Sequence, residues 1–311
     1  MLSYMLRRFV GIVVMLLLLS LFTFVLSRTV PGGPWSAFAQ VPLTDVQLQQ
    51  FKAKYGLDKP ILEQYVVWLG QAIRLDFGVP FTAPEMTVTG LILTLLPYSA
   101  IVGFLACILA LALGIALGMV AAVKQNGWID NAIVTYAVVV GSIPSFVLGF
   151  VVVYVFAAKL RWFPAGGWGG PESLVLPVFA YGFPASAGVA RWTRQCMVDA
   201  ISSDYVRTAY AKGLRTPSVM SRHVLRNALI PMVTSFLPMF PGMMTGSMFI
   251  ESVFGLPGLG KQFVLSSTNR DYPMVLGITI FWALLISLTY FLTDILYGVI
   301  DPRVRIMEKA R

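Results

Sequence analysis

Long apolar runs recur along the chain, and polar or charged stretches separate them. Each run is continuous and lacks the alternation of apolar and polar residues found in the strands of a membrane barrel, so the runs predict α-helices. About 20 helical residues cross the ~30 Å hydrocarbon layer of a bilayer. We therefore predict an all-α, polytopic membrane protein with six transmembrane helices. The predicted spans are residues 9–27, 99–123, 131–158, 173–190, 227–250 and 274–293.

The first apolar run follows Arg7 and Arg8, as the core of a secretory signal would. However, this run is longer than the roughly 7–15 apolar residues of a signal core, and no small-x-small cleavage site follows it. We expect the first span to remain in the mature protein.

The stretch between the first two spans, residues 29–89, is too polar to cross a membrane. Thr44 and Gln47 form a capping-box pattern at the start of a predicted helix, and Gly56 is expected to end that helix. Pro60 opens a second predicted helix. Its apolar stripe is predicted to contain Ile61, Leu62, Tyr65, Val66, Leu69 and Ile73. We predict a small helical insertion on the outer face, with an interfacial amphipathic helix that has no recognition role as the alternative.

A second polar stretch, residues 204–231, lies between the fourth and fifth spans. Asp204 is predicted to cap a short helix that ends at Gly213, because glycine suits the left-handed C′ position. Thr216 is a candidate N-cap of a second short helix, and Pro231 is predicted to mark the return into the membrane. On periodicity alone, a pair of helices lying on the membrane surface explains the pattern equally well.

Composition supports a membrane protein and indicates its orientation. Hydrophobic residues form 57% of the 311 residues and charged residues 12%, which excludes an ordinary water-soluble domain. With six alternating spans and a cytoplasmic N-terminus, Lys and Arg are concentrated on the cytoplasmic side, as the positive-inside rule requires. We therefore expect both termini in the cytoplasm. Topology and the lipid bilayer account for the net charge of +9, so nucleic-acid binding is not needed to explain it.

The reactive side chains show no catalytic or metal-binding pattern. Cys107 and Cys196 lie in or near apolar spans and are expected to be packing residues. His223 lies between arginines in the polar stretch, where exposure to solvent or a partner is the expected role. Asp294 lies near the predicted cytoplasmic end of the last span, where a functional site is one interpretation; we favour a structural role, as inter-helix bonding or interfacial anchoring. No metal or cofactor is expected on this chain.

Two spans carry helix-breaking residues that suit a gate or a solvated path. The third span contains a Gly-Ser-Ile-Pro sequence, and the fifth is rich in proline and glycine. Helix packing explains these residues equally well. The candidate path or gate residues are Ser142, Pro144, Pro238, Gly242, Gly246 and Glu251.

The polar stretch resembles the cytoplasmic EAA loop of binding-protein-dependent ABC importer permeases. Ala209 and Gly213 match the general pattern, whereas Arg207 and Thr208 differ from it. The variant of the dipeptide/oligopeptide subfamily is similar over a longer stretch. The resembling segments are Asp204-Tyr-Val-Arg-Thr-Ala209, Ala211-Lys-Gly-Leu214, His223 to Pro231, Pro31-Gly-Gly-Pro34, Tyr55 to Pro60, Leu75 to Gly78, Glu251 to Gly260, Asn269 to Pro273 and Asp294 to Arg303.

The resemblance implies a domain layout and a mechanism. Residues 1–28 would form the first helix, 29–89 the external insertion, and 90–311 the importer transmembrane domain, with its coupling loop at 195–230. The chain would form half of a translocation path for oligopeptides or dipeptides in a bacterial or archaeal cytoplasmic membrane. The residues expected to couple to the ATPase are Asp204, Tyr205, Arg207, Thr208, Ala209, Lys212 and Gly213.

The implied partners are a second homologous permease subunit, two ATP-binding subunits that hydrolyse ATP, and an extracytoplasmic substrate-binding protein. Nickel or another small solute is an alternative substrate. An ion-coupled secondary transporter is a competing function, but it would be expected to show internal repeats and several ionisable groups at mid-membrane depth, and the sequence shows no convincing repeat and few such groups. An embedded enzyme would need a catalytic cluster.

Overall fold

The computed structural model describes residues 2–29, 33, 35 and 44–300. All regular secondary structure in these residues is helical, which confirms the all-α prediction. The helices are α1 (Leu2–Thr29), α2 (Asp45–Lys54), α3 (Ile61–Ala72), α4 (Val88–Val123), α5 (Trp128–Gly141), α6 (Ser145–Val152), α7 (Glu172–Ile201), α8 (Asp204–Ala211), α9 (Thr216–Val219), α10 (Leu225–Phe236), α11 (Met239–Met244), α12 (Met248–Val253), α13 (Leu259–Thr268) and α14 (Tyr272–Ile300). Two π-helical segments, Val153–Lys159 and Met220–Val224, continue α6 and precede α10.

Four helices in the described part of the chain are long and apolar enough to cross a membrane. They contain the segments Met5–Thr29, Val88–Val123, Glu172–Ile201 and Tyr272–Ile295. A fifth candidate is the pair formed by α5 and α6 with its π-helical extension, which is bent by 92°. The predicted fifth span is divided among α10, α11 and α12, none of which is long enough alone. The six-span count therefore stays a prediction.

The chain divides into two compact units, residues 1–98 with 257–311 and residues 99–256. The division into residues 1–28, 29–89 and 90–311 stays a prediction. Within the first unit, Arg8 Nε lies 3.0 Å from Asp294 Oδ2, so an ion pair joins α1 to α14. This contact confirms the interpretation of Asp294 as an inter-helix bonding partner. The Pro31-Gly-Gly-Pro34 motif, apart from Gly33, and the last motif beyond residue 300 lie outside the described residues.

The external insertion has the predicted helices. Thr44 Oγ1 accepts a hydrogen bond from Gln47 N, and the Gln47 side chain accepts one from Thr44 N, so the capping box is confirmed. Gly56 follows α2 with a positive φ of 63°. In α3, the members of the predicted apolar stripe divide between two environments. Tyr65 and Trp68 form the buried face, and several members of the predicted stripe are exposed, namely Ile61, Leu62, Val66 and Ile73.

The buried face of α3 packs on α1. The Phe24 ring contacts the rings of Tyr65 and Trp68 at centroid distances of 5.3 and 5.7 Å. Tyr65 Oη and Ser20 Oγ are hydrogen bonded at 2.9 Å. The aromatic rather than the aliphatic side chains of α3 pack against α1, because each ring buries more apolar area and the Tyr65 hydroxyl has a polar partner on α1.

A buried carboxylate anchors the segment that leads from α3 to α4. Asp271, fully buried before α14, accepts hydrogen bonds from Thr82 N at 3.0 Å and Thr82 Oγ1 at 2.6 Å. The Phe81 ring packs edge-on against Tyr272 at 6.0 Å. These contacts hold the segment against the first turn of α14.

In the second unit, α4 and α7 approach each other closely through small residues. A Cβ at Gly114 would overlap Val189, one at Gly118 would overlap the Ala190 carbonyl, and one at Gly182 would overlap the Ala106 carbonyl. Contacts this close give membrane helices dense packing where lipid provides no hydrophobic driving force.

We expect Asp271→Ala to destabilise the first unit by about 2 kcal/mol, because two donors of Thr82 lose their acceptor in a buried site. The measurement is the thermal unfolding midpoint of the purified protein, together with hydrogen exchange across residues 77–84. Asp58→Ala, at an exposed carboxylate, is the matched control. If the Asp271→Ala variant had the same thermal unfolding midpoint and the same hydrogen exchange as the Asp58→Ala control, this result would contradict the anchoring role of Asp271.

Candidate functional site

The predicted coupling segment begins directly after α7. The N-cap of α8 is Ser203, and Asp204 is the first helical residue, so the prediction that Asp204 caps this helix is wrong. Asp204 has a 97% exposed side chain, which lies 3.6 Å from Arg207 Nη1. A carboxylate in the first turn still favours the helix through the dipole, although it makes no capping hydrogen bond.

Helix α8 has one buried and one exposed face. Val206 and Ala209 are buried, and they join an apolar cluster that includes residues of α4, α7 and α10. Tyr205 and Tyr210 lie at the edges of the buried face and are about 40% exposed. The exposed face carries the remaining predicted coupling residues, namely Asp204, Arg207, Thr208 and Lys212. The structure therefore brings these residues together on one helix and seats that helix on the core.

Gly213 ends α8 in the way the sequence predicted. Its φ is +73°, Gly213 N donates to Tyr210 O at 2.9 Å, and Leu214 N donates to Ala209 O at 3.4 Å. This is the Schellman arrangement, in which a left-handed residue lets the chain reverse while the last carbonyls are satisfied. A residue with a side chain is strained at this φ, so glycine fixes the length of α8.

The next helix starts one residue earlier than predicted. Arg215, rather than Thr216, is the N-cap of α9, which continues through the π-helical turn into α10. Pro231 lies inside α10 and does not mark its start. The wider π-turn just before α10 is a local irregularity of the kind often found at functional sites.

An ion pair missed by the sequence analysis lies in this unit. Asp130 is 2% exposed and accepts hydrogen bonds from Arg194 Nε at 2.6 Å and Nη2 at 2.7 Å, and also from Asn126 N at 2.9 Å. The bidentate geometry ties α5 to the end of α7 that leads into α8.

The predicted gate residues fall in two places in this unit. Ser142 and Pro144 lie at the 92° bend between α5 and α6, where the Ser142 hydroxyl donates to Val138 O. Pro238 is the N-cap of α11, and Gly242 lies within α11. The bends fit the prediction that these residues interrupt helices, whereas a role in a path or gate stays a prediction.

Gly246 and Glu251 come together around a buried carboxylate. Glu251 is 2% exposed and accepts a hydrogen bond from Ser99 Oγ at 2.7 Å. Gly246 has a φ of +99°, and a Cβ there would overlap Glu251 Oε1. Ser99 was missed because a serine at the start of an apolar run is usually a helix-packing residue. The contact joins α4 to α12 in the middle of the sequence-predicted gate.

Among the residues that the structure describes, no group of three or more His, Cys, Asp or Glu side chains is placed to hold a metal ion. Cys107 and Cys196 are both buried and free. The candidate site thus consists of a short helix with an exposed polar face and an apolar face packed on α4, α7 and α10.

Comparisons with known proteins identify the family. The family "Binding-protein-dependent transport system inner membrane component" matches residues 114–306, and its N-terminal companion model matches residues 1–83. The dipeptide transport system permease protein DppB of Bacillus subtilis is 37% identical over 307 residues, covering 99% of each chain. The oligopeptide transport system permease protein OppB of Salmonella typhimurium is 39% identical, covering 98% of this chain and 100% of that protein.

A solved structure supports the fold. The crystal structure of an amino acid ABC transporter with histidines matches with a TM-score of 0.55 at 19% identity, covering 68% of this chain and 95% of that one. The chain belongs to the family of binding-protein-dependent transport system inner membrane components. It is a multi-pass permease subunit of an ABC importer.

We expect Gly246→Ala to destabilise the protein by about 2 kcal/mol or more, because alanine is strained at this φ and its Cβ would displace Glu251. Gly242→Ala is the matched control, since Gly242 is helical and has open space around it. That change should leave the thermal midpoint equal or slightly higher. Equal midpoints for the two variants would contradict the close approach at Gly246.

Proposed function

We propose that this chain forms half of the translocation path of an ATP-driven importer of oligopeptides or dipeptides. Similarity to permeases named for these substrates over nearly the whole chain supports the substrate class. A permease for nickel or another small solute remains the second candidate, because the external binding protein largely selects the substrate. The partners are a second homologous permease, two ATP-binding subunits and an extracytoplasmic binding protein. ATP hydrolysis takes place on the ATP-binding subunits.

The observation that carries the coupling proposal is the two-faced packing of α8. Its apolar face is part of a cluster that contains Met197 of α7 and Met232 of α10. Its other face offers Tyr205, Arg207 and Lys212 to a partner. Tyrosine and arginine are enriched at the energetic centres of protein interfaces. A displacement of α8 by closing ATPases would move α7 and α10 with it as a rigid body.

The charged groups of the described residues support an ion-coupled secondary transporter less well than an ATP-driven importer. Asp130 is paired with Arg194, and Asp294 with Arg8. A proton or ion relay needs carboxylates that can change partner at mid-membrane depth. Carboxylates held in ion pairs suit helix positioning better than relay chemistry.

We expect Arg207→Glu with Lys212→Glu to uncouple ATP hydrolysis from transport while the protein still inserts and folds, because both side chains are exposed and their loss leaves no buried charge. The measurement is substrate-stimulated ATPase activity and uptake in the reconstituted complex. Charge reversal at Arg74 and Arg161, two exposed arginines on the proposed outer side, is the control. Normal coupling in the α8 variant would exclude α8 as the docking helix.

The orientation can be tested separately. A reporter fused after Arg215 should read cytoplasmic and one fused after Glu63 should read external, because the basic residues concentrate on the side of the coupling segment. The reverse result at either position would overturn the proposed topology and the span count.

A further inference from the structure

Helix α3 lies at membrane depth, although it does not span. Tyr65 is bonded to Ser20, which lies about 13 Å before the end of α1 at ~1.5 Å per residue. Gln64 Oε1 accepts a hydrogen bond from Arg28 Nε at 2.7 Å near the end of α1. Residues 5–29 are long and apolar enough to cross a membrane, and with α1 as a span α3 runs beside it within one half of the bilayer.

The outward side of α3 agrees with this depth. Leu62, Val66 and Ile73 are 72%, 61% and 75% exposed, and they lie on one side of the helix. Exposed aliphatic side chains next to a membrane span are accommodated by lipid rather than by water. Of the two interpretations of the insertion, an interfacial amphipathic helix fits α3 better than a water-exposed cap.

A cavity of about 660 Å³ adjoins another side of α3. The end of α1, the turn after α2 and the start of α14 complete its walls, so it opens at the level where two spans leave the hydrocarbon. Its lining includes the cations Arg28, Lys54 and Lys59, and among the residues that the structure describes it contains no Asp or Glu. Aromatic rings, among them Tyr55 and Trp68, form much of the remaining wall.

Arg28 is the centre of positive charge in this cavity. The guanidinium is half-buried and lies 3.4 Å from the centroid of the Phe24 ring. Within the described residues it forms no ion pair with a carboxylate, and its Nη2 donates to no acceptor. A guanidinium at membrane depth is costly unless a counter-ion accepts its hydrogen bonds. The cavity is therefore built for an anion.

Two further lining residues carry a donor or a charge without a partner in the described residues. The Trp68 side chain is buried, and within the described residues its indole Nε1 has no hydrogen-bond acceptor. Lys54 Nζ lies 5.3 Å from the Tyr55 ring without a carboxylate partner in the described chain. Lys59 is partly neutralised by Glu63 at 2.7 Å, a contact that raises the pKa of Lys59 and keeps its ammonium charged.

We propose that this cavity binds the headgroup of an anionic phospholipid. The phosphate would accept hydrogen bonds from Arg28, and the acyl chains would run along the exposed aliphatic side of α3. Three cations and no acidic lining residue disfavour zwitterionic headgroups, whose ammonium would be repelled. A soluble anion fits the charge but not the depth or the adjoining aliphatic surface. The site is independent of the proposed ATPase coupling.

The test uses the intact importer complex, stripped of lipid and titrated with dioctanoyl phosphatidylglycerol while native mass spectrometry counts the bound lipid. Arg28→Gln should weaken binding about 10-fold or more, since a charge-assisted contact to phosphate is lost. Arg28→Lys should restore part of the affinity.

Substitutions at exposed positions are not expected to impair folding, so their effect on lipid binding can be interpreted directly. Lys54→Gln with Lys59→Gln should weaken lipid binding by roughly 30-fold, at about 1 kcal/mol per basic residue. Arg74→Gln with Arg161→Gln removes the same charge outside the cavity and should leave the affinity unchanged. An equal loss in the two double variants would show nonspecific attraction and overturn the proposal.

Titrations with other ligands show whether the bound anion is a lipid headgroup or a soluble anion. Dioctanoyl phosphatidylcholine and glycerol phosphate should each bind at least 10-fold more weakly than phosphatidylglycerol, because one lacks net charge and the other lacks chains. Equal binding of phosphatidylcholine, or equal binding of glycerol phosphate, would overturn an anionic-lipid site. Displacement of the lipid by a short peptide, but not by its C-terminal amide, would assign the cavity to peptide carboxylates instead. Loss of lipid binding with coupling intact would leave the proposed transport function untouched.

Discussion

The packing of Val206 and Ala209 into the core of the second unit is the interaction on which the proposed mechanism depends. A short polar helix gains little stability by itself, because forming the first turns is costly. Helix α8 is ordered because its apolar face joins a cluster shared with α4, α7 and α10 and because Gly213 closes its end. The same contacts that hold the helix in place would pass a force on it directly to longer helices.

The second constraint on the fold is that each buried carboxylate needs a hydrogen-bond or ion-pair partner. In a low-dielectric environment an unpaired charge is expensive, so the buried acidic groups are expected to be bonded. Asp130 meets this requirement through a bidentate arginine, Asp271 through Thr82, and Glu251 through Ser99. Each of these contacts joins segments far apart in sequence. They therefore fix helix positions within their own unit.

Local signals in the sequence predicted local structure well. The capping box at Thr44 and the left-handed glycine at Gly213 act within one helical turn, so they could be read directly from residue types. Helix starts were less certain, because Ser203 and Asp204 are both competent caps and the surrounding packing decides between them. The π-turn before α10 left no recognisable pattern in the sequence, and the return into the membrane at Pro231 stays a prediction.

Long-range features could not be derived in the same way. The sequence predicted an apolar stripe on α3 but not which of its members are buried, because rings that meet Phe24 and a phenol that meets Ser20 decide this. The Asp130–Arg194 pair needs α5 and α7 to be neighbours, which one sequence does not reveal. The predicted fifth span was apolar enough to be counted, yet Gly246 and the nearby prolines divide it into short helices. Hydropathy measures composition and is insensitive to such breaks.

The most direct test of rigid coupling is to measure the distance between spin labels at Ala211 of α8 and Arg191 of α7 by pulsed electron–electron double resonance, in the reconstituted complex. A second label pair, from Ala211 to the partner permease, verifies that nucleotide trapping drives the cycle. The Ala211–Arg191 distance should stay within about 2 Å between nucleotide-free and ATP-trapped states, since both helices belong to one packed body. A shift of about 5 Å, one helical turn, would contradict transmission through a rigid α8.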